Sequence, residues 1–330
     1  MPDCLTIVMY HYIRDYRSTP YPGIKGLDAR DFASQLDYFS KYYVFVTLEE
    51  CIGAMDGGQR LPSNALLLTF DDGYVDHYEH VFPLLRMRGL QGTFFVSAAP
   101  SMNKTVLEVN KIHHILAVSP DPSLLLKRIL ALIAEKRGTF GLEDPLTYAA
   151  SVTETSRYNS GDVLIIKHLL QRILPPPARK AITGELFADL VTSDERGFSE
   201  RLYLNVDQMR DMALYGMAFG HHGFSHEWLP FMSRKDREED LIKGLEILHR
   251  IGVRTDAWAI SYPYGAHDTS CAELARAHGC ALGVTITAAV ARLDPEQRLV
   301  LPRFDTNDFP RTADAPPNEW TLQVQPGSSR

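Results

Sequence analysis

The sequence predicts an α/β protein built on a largely parallel sheet. Short apolar runs of strand length recur through both ends of the chain, and amphipathic stretches of helical period separate them. The 330 residues, 45% hydrophobic and 23% charged, supply enough material for a large core.

Taken in order, the apolar runs predict strands at 5–10, 43–47, 65–70, 92–96, 216–220, 257–260, 281–285 and 299–304. Helices are expected at 29–38, 48–54, 80–88, 206–214, 234–250 and 269–278. Asn205 and Gln208 have the spacing of a capping box, and Gly252 after Arg250 suits a helix C-terminus. Residues 106–200 break the alternation with helical periodicity alone. Pro122 stands where a first helical turn accepts proline, and Pro175, Pro176 and Pro177 close another helical run. That stretch is too long for an ordinary βα connection, so it reads as an insertion. It is either a side bundle or oligomer contact, or a lid or wall of a substrate cleft.

The net charge of −7 argues against a nucleic-acid or anionic-membrane partner. The N-terminal apolar stretch lacks a positive flank, and no run has membrane-spanning length. Cys4, Cys51, Cys271 and Cys280 are scattered, without the CxxC spacing of a metal or redox motif. A cytoplasmic location is the expectation.

Two segments carry chemistry. In "LLLTFDDGY" a buried-strand run ends on two adjacent carboxylates, Asp71 and Asp72, before a turn glycine. In "FGHHGFSHEWL", His222 and His226 are four apart, a spacing that faces one way on a helical turn. Two imidazoles and one carboxylate make a mixed N/O site for a divalent ion. The cation would offset the repulsion between the acids, with one aspartate as ligand and the other as base toward water.

With "GTFFV" at 92–96 between them, these segments resemble the polysaccharide deacetylase (NodB-homology) family, carbohydrate esterase family 4. The resemblance implies a distorted (β/α) barrel of about seven strands, with the helical insertion lying between the first and second catalytic motifs. Residues 1–105 and 201–312 would form the barrel, 106–200 the insertion, and 313–330 a polar tail. It implies Asp71 as catalytic base and Asp72, His222 and His226 as metal ligands. The ion would be Zn²⁺, with Co²⁺, Mn²⁺ and Ni²⁺ as alternatives. Tyr74, His221, Pro263 and Tyr264 would line the substrate, and a backbone N–H near Tyr264 would hold the oxyanion.

The sequence departs from the family pattern in three places. "SYPYG" carries Ser261 where the third motif has an arginine that orients the base, and Arg303 in "LPRFD" is the candidate replacement. The late Leu-x-His-Asp motif is absent, and His11 in "IVMYHYI" is the candidate to protonate the leaving amine, as in members that look circularly permuted. "FDTNDF" only faintly echoes the Asp-x-x-Asp-Trp motif, and Asp305 in it is a candidate partner for Arg303. "VNKIHHIL" resembles a segment of members from surface-polysaccharide gene clusters, with His113 and His114 read as helix-surface residues.

The expected function is metal-dependent hydrolysis of the N-acyl, foremost N-acetyl, group of an amino sugar. The expected partner is a nucleotide- or lipid-linked precursor of a surface polysaccharide, with oligomer formation through the insertion also open. The alternatives are a hydrolase of non-sugar amides or imides on the same fold, and an inactive glycan-binding relative.

Overall fold

A computed structural model describes residues 4–58, 60–152 and 161–325. It divides into two units, the first made of Met1–Arg17, Gly26–Asn103 and Glu200–Arg330, the second of Ser18–Lys25 and Lys104–Ser199.

The first unit is organised by β5 (Ala65–Phe70), a six-residue run buried at every position. Each aliphatic side chain buried there contributes roughly 1.5–3 kcal/mol. β5 pairs in parallel with β1 (Cys4–Tyr10) on one side and β6 (Thr93–Val96) on the other. The parallel path continues through β7 (Ala218–His221), β8 (Trp258–Ser261) and β9 (Cys280–Val284). β10 (Ala291–Arg292) adds antiparallel to β1, giving a curled path of seven strands. β4 (Val44–Phe45) pairs with β5, and β2 (Ile13–Arg14) and β3 (Leu27–Asp28) form a separate two-stranded sheet.

The last predicted strand draws the two sides of the path together. Leu301 bridges to Val284 of β9, and β11 (Phe304–Asp305) pairs in parallel with β1. The run expected at 299–304 is therefore shared between two neighbours. Pro302 has no N–H to give to a continuous ladder. All parallel strands thus end at one rim, where open α/β sheets place their ligands.

Among the helices of this unit, α1 (Ala29–Tyr42) starts on an Asp28 cap and α2 (Leu48–Met55) on a Thr47–Glu50 capping box. That box takes Thr47 out of the strand expected at 43–47 and shortens it to β4. The helix expected from 80 begins earlier, as a π-helical segment, His77–Val81, that runs into α3 (Phe82–Arg88). Pro83 lacks the N–H for an α-helical bond and would crowd the carbonyl four residues back, which the wider turn accommodates. α4 (Ala98–Asn103) follows β6.

In the second unit, α5 (Glu108–Val118), α6 (Pro122–Phe140), α7 (Pro145–Ala150), α8 (Gly161–His168) and α9 (Pro176–Leu190) pack around Ile112, Ile129, Ile133, Ile166, Ile182 and Leu186. A second π-helical segment, Leu169–Ile173, follows α8, and α10 (Glu195–Leu202) spans the boundary at Ser199. Residues 18–25, placed with the barrel by the sequence, belong to this unit. Gly23 approaches the Ala117 carbonyl so closely that a Cβ would lie 2.5 Å from it. His114 is not a helix-surface residue: it is buried, donates from Nδ1 to the Asn110 carbonyl at 2.8 Å, and meets Tyr21 and Phe198 edge-on.

Back in the first unit, α11 (Val206–Leu214) has the capping box expected at Asn205, and α12 (Arg234–Arg250) and α13 (Thr269–Ala277) are capped by Ser233 and Asp268. The span 313–330, expected as a polar tail, contains α14 (Glu319–Val324). Thr321 on it is buried against the Tyr38 and Tyr43 hydroxyls, and Trp320 packs on Phe304. Residues 326–330 of that span lie outside the described residues. Among the described residues, no helix is long and apolar enough to cross a membrane.

α12 meets β7 through Gly244, where a Cβ would lie 2.1 Å from Nε2 of the buried His221. Gly→Ala inside a helix normally stabilises by about 1 kcal/mol. Here Gly244→Ala is expected to destabilise by about 1–3 kcal/mol in urea unfolding, because the imidazole it would displace is buried and bonded to the Leu241 carbonyl; a more stable variant would contradict this packing.

Candidate active site

The rim of the first unit gathers the predicted residues. Asp71 and Asp72 follow β5, His222 follows β7, Ser261 ends β8, Arg303 precedes β11 and His11 follows β1. Asp72 (φ 73°), and with it His226 (φ 56°) and Tyr264 (φ 58°), has a left-handed backbone. Non-glycine residues rarely adopt it, and its cost persists only where surrounding contacts enforce it.

At Asp72 that conformation sends adjacent carboxylates to different partners. Asp71, 1% exposed, receives both arms of Arg303, with Nη1 2.9 Å from Oδ1 and Nη2 2.7 Å from Oδ2. Ser261 Oγ donates to Oδ2 at 3.0 Å and accepts from Arg303 Nη2 at 2.8 Å. Arg303 is itself fixed by donating Nε–H to the Thr285 carbonyl at 2.8 Å. The fork geometry is the strong form of a carboxylate contact. Burial pushes the Asp71 pKa up, but the Arg303 charge outweighs it and holds the carboxyl down at about 2. Arg303 therefore meets Asp71, whereas Asp305 caps the 3₁₀ turn Thr306–Asp308, which corrects the expected Arg303–Asp305 pair.

Asp72 turns toward the histidines. Its Oδ1 lies 3.4 Å from His222 Nε2 and 3.5 Å from His226 Nε2, and one ligand atom from each of the three residues falls within 4.8 Å of the others. His222 donates Nδ1–H to the Ser261 carbonyl at 2.6 Å, which leaves its Nε2 bare. Burial and the imidazoles act in opposite directions on Asp72, and the imidazoles win, keeping it well below the usual carboxylate range. Burial takes His226 down to about 4, while Asp71 and Asp72 overcome burial to raise His222. Asp72 Oδ1 is buried without a hydrogen-bond partner, which a cation between the three residues would supply. The donor set fits a divalent ion.

The histidines converge through a loop, not through the helical turn their spacing suggested. Gly223 (φ 73°) and His226 reverse the chain, and Asp240 on α12 accepts from the N–H groups of Phe224 and Ser225 at 2.8 and 3.1 Å. Sequence reasoning missed Asp240. Its signal was a helical register shared with Arg237, Leu241, Gly244 and Leu248, all buried.

Three expected substrate contacts face elsewhere. His221 alternates to the opposite face of β7 from His222, accepts at Nδ1 from Gly223 N–H at 3.0 Å and donates from Nε2 to the Leu241 carbonyl at 3.2 Å. Tyr74 is fully buried, donates its hydroxyl to Asp72 Oδ2 and stacks on Tyr12 at 3.9 Å, so it orients the Asp72 carboxylate. Pro263 is buried beside Gly223. Tyr264 remains at the rim, edge-on to His226 at 4.6 Å and stacked on Trp228 at 4.4 Å. His11 lies close enough for its charge to lower the pKa of both aspartates.

Arg303→Met would leave Asp71 buried without its guanidinium partner, an expected loss of about 3–5 kcal/mol near neutral pH. With Arg303 gone, the largest influence opposing burial is lost and the Asp71 pKa rises. Falling pH then protonates the variant's carboxyl first, so the stability gap should narrow between pH 7 and pH 4. Chemical denaturation across that range checks this; a gap that widens on acidification contradicts the pairing.

The polysaccharide deacetylase family model matches residues 58–117 and 190–283. YxkH of Bacillus subtilis (strain 168), which carries a polysaccharide deacetylase assignment, is 28% identical over 96 residues, 29% of this chain and 32% of its own length. The match thus spans about a third of that relative. Among solved structures, Streptococcus pyogenes deacetylase PplD in complex with acetate superposes with a TM-score of 0.58 at 17% identity, over 99% of this chain and 100% of PplD. IcaB from Ammonifex degensii does so with a TM-score of 0.53 at 20% identity, over 98% of each chain. At these identities the structures speak to the fold. The Asp-Asp-Gly turn and both cradle histidines fall inside the matched segments, while His11 and Arg303 fall outside them. Over these two segments the chain matches the polysaccharide deacetylase family.

Proposed function

We propose that this protein is a metal-dependent deacetylase that hydrolyses the N-acyl group, chiefly N-acetyl, of an amino sugar in surface-polysaccharide synthesis. The observation that carries this reading is the division of labour between neighbouring carboxylates. Asp72 shares a cation cradle with His222 and His226, whereas Arg303 and Ser261 hold Asp71 off it.

A divalent ion in the cradle, with Zn²⁺ the choice best suited to two imidazoles and one carboxylate, supplies Lewis acidity toward the acyl carbonyl and water. The remaining chemistry falls to the protein. Asp71, ionised across the ordinary pH range, accepts a proton from the water as its oxygen bonds to the acyl carbon. The backbone N–H at Tyr264 serves the developing oxyanion. His11 gives a proton to the nitrogen as the C–N bond breaks, so the products are a carboxylate and an amine. Assigning these roles to Arg303 and His11 answers the two departures from the family pattern, and the Arg303–Asp71 fork weighs against an inactive relative.

The test is a metal-reconstituted assay for released acetate or formate across N-acyl amino sugars in free, nucleotide-linked, lipid-linked and polymeric form. Release that requires added metal is expected from at least one class. A metal-loaded protein silent on all of them, yet active on a cyclic imide or simple amide, would replace the sugar reading with the non-sugar one.

A further inference from the structure

His77 is a buried histidine that the mechanism above leaves without a task. It is fully enclosed, with Phe70, Tyr74 and Phe94 around it at ring-centroid distances of 5.7, 5.7 and 5.6 Å. Its Nε2 lies 2.8 Å from the carbonyl oxygen of His11. A carbonyl only accepts, so Nε2 carries the hydrogen and Nδ1 is bare. That Nδ1 is buried with no hydrogen-bond partner. A phenylalanine would fill the same aromatic box without burying an unsatisfied nitrogen. Packing therefore does not explain an imidazole here; its side-chain hydrogen bond to His11 does.

That bond completes an anchored stretch of backbone. The Tyr10 carbonyl accepts from the Asp71 N–H at 2.9 Å and the Tyr12 carbonyl from the Leu27 N–H at 2.9 Å. The carbonyl between them, that of His11, is held by the His77 side chain. His77 also opens the π-helical segment His77–Val81, and π-turns recur at functional sites.

We propose that His77 is a positioning residue: through its Nε2–H···O=C bond it fixes the His11 backbone, so that the His11 imidazole meets the departing nitrogen. This rests on the reading of His11 as the group that protonates the amine.

The test uses full-length, metal-loaded protein and two substrates: an N-acetyl amino sugar that the wild type turns over, and 4-nitrophenyl acetate, whose phenolate leaves without a proton. His77→Phe is expected to lower kcat on the amide tenfold or more with KM within twofold, and to leave aryl-ester turnover within twofold. His77→Gln, whose amide can donate, should recover most of the loss. Should His77→Phe fail to fold, His77→Asn, too short to reach the carbonyl, takes its place and is expected to behave the same way. Metal content and thermal unfolding are measured on each variant. His11→Ala serves as the reference and should show the same split between substrates. A split in His11→Ala with none in the His77 variants overturns the positioning role alone. Equal loss on both substrates in the His77 variants assigns His77 to folding and also overturns it. No split in His11→Ala overturns the acid assignment on which the inference rests.

Discussion

Two carboxylates on neighbouring residues, both buried, repel each other, and the site is arranged around that constraint. Asp72 takes a left-handed backbone that turns its side chain away from that of Asp71. Each carboxylate then has its own partners: a guanidinium fork for Asp71 and, for Asp72, two imidazole nitrogens that with it could hold a cation. Removing either partner leaves a buried charge uncompensated, the costliest kind of defect in a protein interior.

The sheet supplies what this arrangement needs from a distance. Because β1 and β5 to β9 run parallel, residues far apart in sequence arrive at one rim. The chain from Leu301 to Asp305, bridging to β9 and then pairing with β1, carries Arg303 to Asp71 across 232 positions of sequence. Ser261 links the halves, since its hydroxyl serves Asp71 and Arg303 while its carbonyl fixes the tautomer of His222. A serine can do this because an arginine at 303 already reaches the carboxylate.

The parts of the site that are local in the chain were readable from it. The apolar run before Asp71 marks a strand end, and two histidines four apart mark a shared target. Their approach through a loop was not readable, because it depends on a left-handed His226 and on Asp240 from a distant helix. Arg303 could be singled out as a cation near a strand end, but its partner could not, and Asp305 was the wrong guess because it closes its own turn. Tyr74, His221 and Pro263 show a different limit. A polar or ring-bearing residue beside a motif can face substrate or interior, and only strand alternation, burial and hydrogen bonds decide which. His77 gave no sequence signal, since its task is a bond to backbone.

The separation of the two aspartates is tested most directly by equilibrium dialysis of Asp71→Asn and Asp72→Asn against a divalent ion such as Zn²⁺. The account predicts that Asp71→Asn keeps one ion per chain while losing turnover, and that Asp72→Asn loses the ion. Loss of the ion from Asp71→Asn with retention by Asp72→Asn would contradict it.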